Sequence, residues 1–185
     1  MKIIAGRFHG HSLKTPSFSG IRPTSNRVKE NMFNLLTARV DLTGLEVLDL
    51  FAGTGNLGLE ALSRGASKAT FVEKARKVVW LLRKNIDLLG VNNICNIIQK
   101  PVESYLRQAV HEFDIIFSDP PYDYERIEFL VHEVKNVART DTIWLFEHST
   151  DIAIPPLPDW HQEAQKSYGR TTVSMFRFTG FKEEK

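Results

Sequence analysis

Short apolar runs alternate along this chain with segments in which apolar residues recur at helical spacing. The runs predict five β-strands, at residues 45–50, 68–72, 93–98, 113–118 and 142–146. Two apolar stripes between them predict helices, and they comprise Val78, Leu81, Leu82, Ile86 and Leu89, and Tyr124, Ile127, Leu130, Val131 and Val134. Such alternation is typical of a mostly parallel sheet with helices on both faces. The pattern therefore predicts an α/β fold.

The two ends of the chain depart from this alternation. Residues 160–166 and 171–178 are strand-like, and the short turn between them, 167–170, predicts an antiparallel hairpin. At the other end, residues 2–14 can form a small hairpin, and residues 25–39 predict a helix with one apolar side. We therefore expect an N-terminal extension of hairpin and helix ahead of the sheet domain.

Charge is distributed unevenly between these two parts. The N-terminal extension, residues 1–40, carries seven Lys or Arg and one acidic side chain, whereas the sheet domain, residues 41–185, carries 17 basic and 21 acidic side chains. A basic segment is a usual footprint of a nucleic-acid partner, although a solvated surface can have the same composition. His9, His11 and the aromatic Phe8, which are interleaved with this charge, favour contact with RNA or DNA.

Composition and length bound the remaining possibilities. A chain of 185 residues with 42% apolar side chains suits one globular domain with a sizeable core. Its one cysteine, Cys95, excludes an internal disulfide and a Cys-rich zinc site, and the histidines show no metal-ligand spacing. No apolar run has the length of a signal peptide or a membrane span. We therefore expect a cytoplasmic protein without a bound metal.

A glycine-rich loop follows the first predicted strand. Gly53, Gly55 and Gly58 match the pattern G-x-G-x-x-G, and apolar residues of helical spacing come next. Twenty positions beyond Gly53, at the end of the second strand, stands Glu73. A carboxylate at that place can accept hydrogen bonds from both hydroxyls of an adenosine ribose. Strand, loop, helix and acid together predict a cofactor that contains adenosine.

Asp49 helps to decide which adenosine cofactor is bound. It lies inside an apolar strand, where an unpaired carboxylate is strongly destabilising. S-adenosylmethionine brings an ammonium and a sulfonium and no phosphate, whereas NAD brings a pyrophosphate to the helix N-terminus. Asp49 therefore favours S-adenosylmethionine. The alternative is a structural role, in which Asp49 accepts hydrogen bonds from loop amides.

The fourth predicted strand ends in Asp119-Pro120-Pro121-Tyr122. The prolines stiffen this turn and restrict Asp119 to extended backbone. The Asp119 carboxylate and the Pro120 carbonyl can accept both hydrogens of an exocyclic amino group, while the Tyr122 ring stacks on the attached base. Such a turn also occurs in ordinary loops. At the carboxyl edge of the sheet, beside a cofactor loop, it predicts a site for an amine-bearing base.

Several stretches of the sequence together resemble a known group of enzymes. LDLFAGTGNLGLEALSRGA at 48–66, the acid in FVEKA at 71–75 and SDPPY at 118–122 are similar to Rossmann-like methyltransferases that use S-adenosylmethionine and modify exocyclic amino groups. The segments MKIIAGRFHGHSL, RPTSNRVKENMFNLL and KSYGRTTVSMFRF resemble the RsmD family, the bacterial 16S ribosomal RNA guanine-N2 methyltransferases. This resemblance spans nearly the whole chain.

The resemblance implies a fold, a reaction and a set of site residues. The fold is a Rossmann-like sheet of seven strands with the last antiparallel, and the reaction is direct methyl transfer from S-adenosylmethionine to guanine N2. The target base is held at Asp119, Pro120, Pro121 and Tyr122. The cofactor-binding residues are Asp49, Phe51, Ala52, Gly53, Thr54, Gly55, Gly58, Glu73, Lys74 and Val102. The residues expected to bind RNA are Arg7, His9, Arg22, Thr24 and Arg27.

The sequence also departs from the family pattern. His11 stands where the family usually has arginine, which weakens phosphate binding at neutral pH unless the pKa of the histidine is raised. Residues 99–102, after the third strand, offer no acid for the adenine amino group, so the Val102 backbone is the candidate there. Glu147 and His148, at the end of the fifth strand, lie at the functional edge and receive no direct role.

Three other functions stay open on the sequence alone. A DNA adenine-N6 or cytosine-N4 methyltransferase uses a similar turn, but usually adds a target-recognition region for which this chain has little room. A noncatalytic nucleic-acid-binding module would explain the basic N-terminus, and an NAD dehydrogenase would explain the glycine loop.

The favoured partner is ribosomal RNA, either free or within a partly assembled small subunit, and the favoured oligomeric state is a monomer.

Overall fold

The computed structural model describes residues 1–16 and 26–180, and its centre is a seven-stranded sheet. The strands are β1 (Glu46–Leu50), β2 (Lys68–Val72), β3 (Cys95–Ile98), β4 (Phe113–Ser118), β5 (Ala138–Ser149), β6 (Trp160–Tyr168) and β7 (Thr171–Phe178). The helices are α1 (Asn26–Thr37), α2 (Asn56–Ser63), α3 (Arg76–Leu89), α4 (Val102–Leu106) and α5 (Ile127–Glu133). Two candidate RNA-binding residues, Arg22 and Thr24, lie outside the described residues.

The sheet has the strand order β3-β2-β1-β4-β5-β7-β6. Strands β1 to β5 run parallel, and β7 is antiparallel to both of its neighbours. β1 lies between β2 and β4, so that the carboxyl ends of these three strands meet at one edge. The predicted parallel sheet with an antiparallel last strand is confirmed.

Four predicted strands have different bounds in the structure. The first begins one residue later than expected, at Glu46, and the sixth extends two residues further, to Tyr168. The third was expected from residue 93, but Asn92–Ile94 forms a 3₁₀ helix and the strand begins at Cys95. The fifth was expected over 142–146 and extends instead over Ala138–Ser149. Its first residues are polar, but the Thr142 hydroxyl donates to the Phe113 carbonyl at 2.6 Å and accepts from the Arg139 amide at 2.8 Å. These bonds hold the start of β5 beside β4.

Each face of the sheet carries its own buried cluster. On one face, Val47 of β1 and Phe117 of β4 lie in a cluster with residues of α1, α2 and α3. On the other, Leu48 of β1 and Ile116 of β4 lie in a cluster with residues of α4 and α5. Adjacent strand residues point to opposite faces, which explains why the strands read as continuous apolar runs. No helix in the described ranges is both long and apolar enough to cross a membrane.

The N-terminal segment packs into the first of these clusters. Its hairpin is small, with one bridge between Lys2 and Ser12, and it buries Ile3 fully. The backbone amides of Ile4 and Ala5 donate to the Glu60 carboxylate of α2 at 2.8 and 3.0 Å. The extension therefore shares the core of the sheet domain. A division at residue 40 stays a prediction.

Candidate active site

A cavity of about 550 Å³ opens at the carboxyl ends of β1, β2 and β4. This is the edge at which ligands bind in open parallel sheets. All the predicted cofactor-binding residues except Gly55 and Gly58 line it, together with the whole turn from Asp119 to Tyr122. The lining also includes residues that sequence reasoning missed: Met1, Asn56, Leu57, Val72, Ala75, Val78, Glu103, Asp123 and Tyr124.

The two glycines that do not line the cavity have packing roles instead. Gly55 has φ +88°, and a methyl group on it would lie 2.6 Å from Leu82 Cδ1 of α3. A methyl group on Gly58 would lie 2.4 Å from the Phe71 ring of β2. Glycine thus lets α2 begin directly after the loop and pack closely on the sheet. The structure does not bring either residue to the cofactor cavity.

Asp49 lies near the end of β1, just before the glycine loop, and the residue is 2% exposed. Its Oδ2 accepts a hydrogen bond from the Gly58 amide at 2.9 Å, so the alternative structural role is present as well. Burial, and to a smaller extent the charges of Asp119 and Glu73, raise the pKa of Asp49 to about 7. A buried carboxyl beside two other acids, at the wall of a cavity, suits a ligand with a positive charge.

Glu73 is fixed by two backbone amides. Its Oε2 accepts from the Gly53 amide at 3.0 Å, and its Oε1 accepts from the Ala75 amide at 2.8 Å. Each carboxylate oxygen has a second lone pair that remains able to accept a hydrogen bond. Because Glu73 lines the cavity, these oxygens can hold a pair of ribose hydroxyls. The residues present therefore fit an adenosine with a cationic substituent, as S-adenosylmethionine has.

The stretch after β3 considered for the adenine side, residues 99–102, contains no acid. Val102 lines the cavity as predicted, and Glu103, one residue beyond the stretch considered, lines it too. Burial and the nearby Glu103 carboxylate raise the pKa of Tyr124. The Tyr124 ring meets Phe51 edge to face, with centroids 4.9 Å apart. Phe51 has φ +61°, a backbone conformation that is uncommon for non-glycine residues and unusual for a bulky side chain.

The turn after β4 presents a carboxylate, a carbonyl and a ring to the cavity. Its strand is anchored by the Trp144 indole, which donates to Ser118 Oγ at 3.0 Å. Pro120 is buried, whereas Tyr122 is 56% exposed. The Tyr122 hydroxyl is hydrogen-bonded to Thr171 Oγ1 of β7 at 2.7 Å. This bond fixes one end of the ring while its face stays accessible to a base.

The candidate RNA-binding residues that the structure describes, Arg7, His9 and Arg27, do not line the cavity. The Arg7 amide donates to the carbonyl of Ser63, the last residue of α2, at 2.8 Å. Arg7 and His9 are exposed there, about 10 Å along the helix from the glycine loop. Arg27 is exposed in the first turn of α1. The structure brings none of these three side chains to the cavity wall, so their contact with RNA stays a prediction.

Two buried polar links connect the N-terminal segment to the glycine loop. Asn85 of α3 donates to the carbonyls of Lys14 and Thr54 at 3.1 and 2.9 Å, and accepts from the Lys14 amide at 2.7 Å. Lys29 of α1 donates to Asn56 Oδ1 at 2.8 Å. Asn85 and Lys29 are both 0% exposed. These buried bonds therefore fix the glycine loop to α1, to α3 and, through Asn85, to Lys14.

Comparison with known proteins now decides the family. A family model described as Conserved hypothetical protein 95 matches residues 1–177. The chain belongs to this family. A Ribosomal RNA small subunit methyltransferase D from Haemophilus influenzae is 39% identical over 182 residues, covering 96% of this chain and 93% of the relative. The protein of that name from Escherichia coli K12 is 32% identical over 180 residues, covering 96% and 89%. The resemblance to the RsmD family is confirmed.

Solved structures agree with membership of the Conserved hypothetical protein 95 family. The structure of Escherichia coli yhhF has a TM-score of 0.86 to this chain at 30% sequence identity, and covers 96% of this chain and 97% of its own. With the observed strand order, this similarity confirms the Rossmann-like class I methyltransferase fold predicted from the sequence.

Proposed function

We propose that this protein transfers a methyl group from S-adenosylmethionine to the exocyclic N2 of a guanine in small-subunit ribosomal RNA. One observation carries the proposal. A single cavity is lined by Asp49 and Glu73, which suit a cationic adenosine cofactor, and by the turn from Asp119 to Tyr122, which suits an amine-bearing base. The relatives named Ribosomal RNA small subunit methyltransferase D support ribosomal RNA as the substrate.

S-adenosylmethionine would supply a methyl group on a sulfonium: the N–CH₃ bond would form as the S–CH₃ bond breaks, S-adenosylhomocysteine would leave, and the nitrogen would lose one proton to solvent. Glu73 binds the ribose hydroxyls, and Asp49 binds the ammonium of the methionine part. The Asp119 carboxylate and the Pro120 carbonyl accept the two hydrogens of the target amine. The lone pair of that amine is otherwise delocalised into the purine ring, and these acceptors favour a pyramidal nitrogen with its lone pair directed outwards. Positioning and preorganised charge thus supply most of the rate.

The target guanine must leave its stack to reach this turn. Asp119 and Pro120 lie at the wall of a cavity that no intact duplex can enter, so the base is single-stranded, looped or flipped out. Stacking on the exposed face of Tyr122 stabilises the extruded base by about 1–3 kcal/mol. We further propose that the protein acts in the cytoplasm as a monomer, on free ribosomal RNA or on a partly assembled subunit.

The first test is transfer of a labelled methyl group from S-adenosylmethionine to unmodified small-subunit RNA, as naked RNA and as particles, followed by nucleoside analysis. We expect N2-methylguanosine, and the better of the two substrates identifies the stage of assembly. DNA of the same sequence serves as the control. Label in DNA or in another nucleoside would overturn the proposed substrate, and absence of both transfer and cofactor binding would overturn the proposed enzyme.

Cofactor affinity should depend on pH through Asp49. Its pKa of about 7 lies above the ordinary value for aspartate, so below pH 7 the side chain is mostly protonated and cannot attract an ammonium. Affinity should therefore rise with pH and level off above pH 7. Since about a tenth of Asp49 is ionised at pH 6, we expect binding to be about tenfold weaker at pH 6 than at pH 7.5. Isothermal titration calorimetry measures this change.

Asp49→Asn is the matched control for that titration. Asparagine can still accept from the Gly58 amide but has no charge to gain between pH 6 and 7.5. We expect this variant to bind the cofactor weakly and with little dependence on pH. An equal pH dependence in Asp49→Asn would show that another group is responsible.

A further inference from the structure

Glu147 and Asp119 are neighbours at the carboxyl edge of the sheet. The parallel register pairs Ser118 of β4 with Phe146 of β5, so Asp119 and Glu147 are the residues that follow this pair on the two adjacent strands. Both line a small pocket of about 10 Å³, together with residues of the proline turn. Asp119 also lines the large cavity, whereas Glu147 does not. Glu147 is thus placed to act on Asp119 and not on a bound ligand.

The side chain of Glu147 is buried without a full set of partners. The residue is 7% exposed, and among the described residues its Oε2 has no hydrogen-bond partner. An ionised carboxylate in this place would lack stabilising donors and would be repelled by Asp119. Burial first, and then the charge of Asp119, raise the pKa of Glu147 to about 8. At neutral pH Glu147 therefore carries a proton that it can donate.

We propose that Glu147 is a positioning residue, a neutral carboxylic acid that donates a hydrogen bond toward Asp119 and so keeps that carboxylate ionised and oriented for the target amine. The pocket between them is about the size that one water requires, so the bond is direct or passes through one water. Two adjacent carboxyls that share one proton avoid the repulsion of two charges. This inference rests on the proposed function, because it concerns Asp119, the carboxylate that accepts a hydrogen bond from the target amine.

The other ionisable groups around Glu147 do not explain a titration near pH 8. Besides Asp119, the ionisable residues that line the small pocket are Tyr122 and His148. On β7, the residue paired with Glu147 is Val173, which does not ionise. His148 Nε2 is hydrogen-bonded to Ser174 Oγ, and burial lowers the pKa of His148, so it loses its proton on the acid side of neutrality. Tyr122 is the same in every variant of Glu147.

The test compares two substitutions of Glu147, of which one keeps a hydrogen-bond donor and the other only fills the same space. Glu147→Gln keeps an N–H donor and cannot ionise, whereas Glu147→Leu keeps the volume and removes the donor. We expect Glu147→Gln to retain kcat at pH 7, and Glu147→Leu to lose about 10- to 100-fold in kcat with little change in the cofactor KM. Thermal unfolding of both variants checks that they are folded.

The pH profile supplies a readout that a merely structural role would not move. Between pH 7 and pH 9 the wild-type protein should lose about tenfold in kcat relative to Glu147→Gln, because about a tenth of Glu147 remains protonated at pH 9. Parallel profiles of wild type and Glu147→Gln, or a glutamine variant as impaired as the leucine variant, would overturn the inference. If wild-type protein transfers no methyl group to RNA, the proposed function fails first, and the inference fails with it.

Discussion

Replacing Asp119 with alanine should lower the rate of methyl transfer about 10²- to 10³-fold and leave cofactor affinity largely unchanged. The carboxylate lies where β4 ends, at the wall that the cavity shares with the proline turn. Without it, only the Pro120 carbonyl remains to accept a hydrogen of the target amine, and the nitrogen lone pair stays delocalised. Single-turnover transfer of labelled methyl to RNA measures the rate, and calorimetry with S-adenosylmethionine measures the affinity.

Two further variants make this result specific. Asp119→Asn preserves the size of the side chain but removes its charge and replaces one of the two acceptor oxygens by a donor, so we expect a loss of similar direction. Asp151→Asn removes an exposed carboxylate shortly after β5, and we expect it to behave as wild type. Full activity of Asp119→Ala would refute the assignment of Asp119 as an acceptor for the amine.

Glu60→Gln should lower the free energy of unfolding by about 3–5 kcal/mol, because it leaves a charge buried without its partner. Lys29 Nζ lies 3.1 Å from Glu60 Oε2, and both side chains are fully buried. The same carboxylate accepts hydrogen bonds from the amides of Ile4 and Ala5 and from Arg64 Nε. Burial already lowers the pKa of Lys29, against the opposing effect of Glu60. Urea denaturation followed by circular dichroism measures the loss.

An exposed ion pair provides the control for Glu60. Lys135 and Asp159 lie 3.0 Å apart, with side chains 46% and 36% exposed, and Lys135→Ala should change stability by less than about 1 kcal/mol. Combining Lys29→Met with Glu60→Gln should recover part of the loss, since the uncompensated ammonium is then absent. Equal effects of Glu60→Gln and Lys135→Ala would show that the buried pair has no special importance.

The fold was predictable because most of its signals are local. Strands β2, β4 and β7 have the bounds predicted from the sequence. β2 and β4 are mainly apolar because they are buried on both faces, whereas β7 is indicated by its β-branched and aromatic residues and by the short turn before it. The start of β5 was not predictable in this way. Residues 138–142 include polar side chains, and they are held in the sheet by hydrogen bonds to Phe113 and within the strand itself. Such bonds depend on which strand lies alongside.

Some residues of the candidate site were likewise predictable from the local sequence, and others were not. Asp49 could be found because it is a carboxylate inside an apolar strand, and Glu73 and Asp119 because each directly follows a predicted strand. Glu147 also stands near such an end, but its meaning depends on the order of β4 and β5, which brings it beside Asp119. Asn85 occupies a buried position of α3, and nothing local indicates that it contacts the glycine loop. The roles of Glu147 and Asn85 depend on contacts between residues far apart in sequence, so they could not be predicted from local sequence.

The hydrogen bonds made by Asn85 and Lys29 fix the distance between the N-terminal segment and the glycine loop. Lys14 and Thr54 share one buried amide, and Lys29 joins Asn56 to the same N-terminal segment. A surface that contacts RNA through this segment would stand at a constant distance from the site where the methyl group is transferred. If the segment binds RNA as proposed, we expect the enzyme to select a nucleotide by its spacing from a second feature of the RNA, with little recognition of the neighbouring bases.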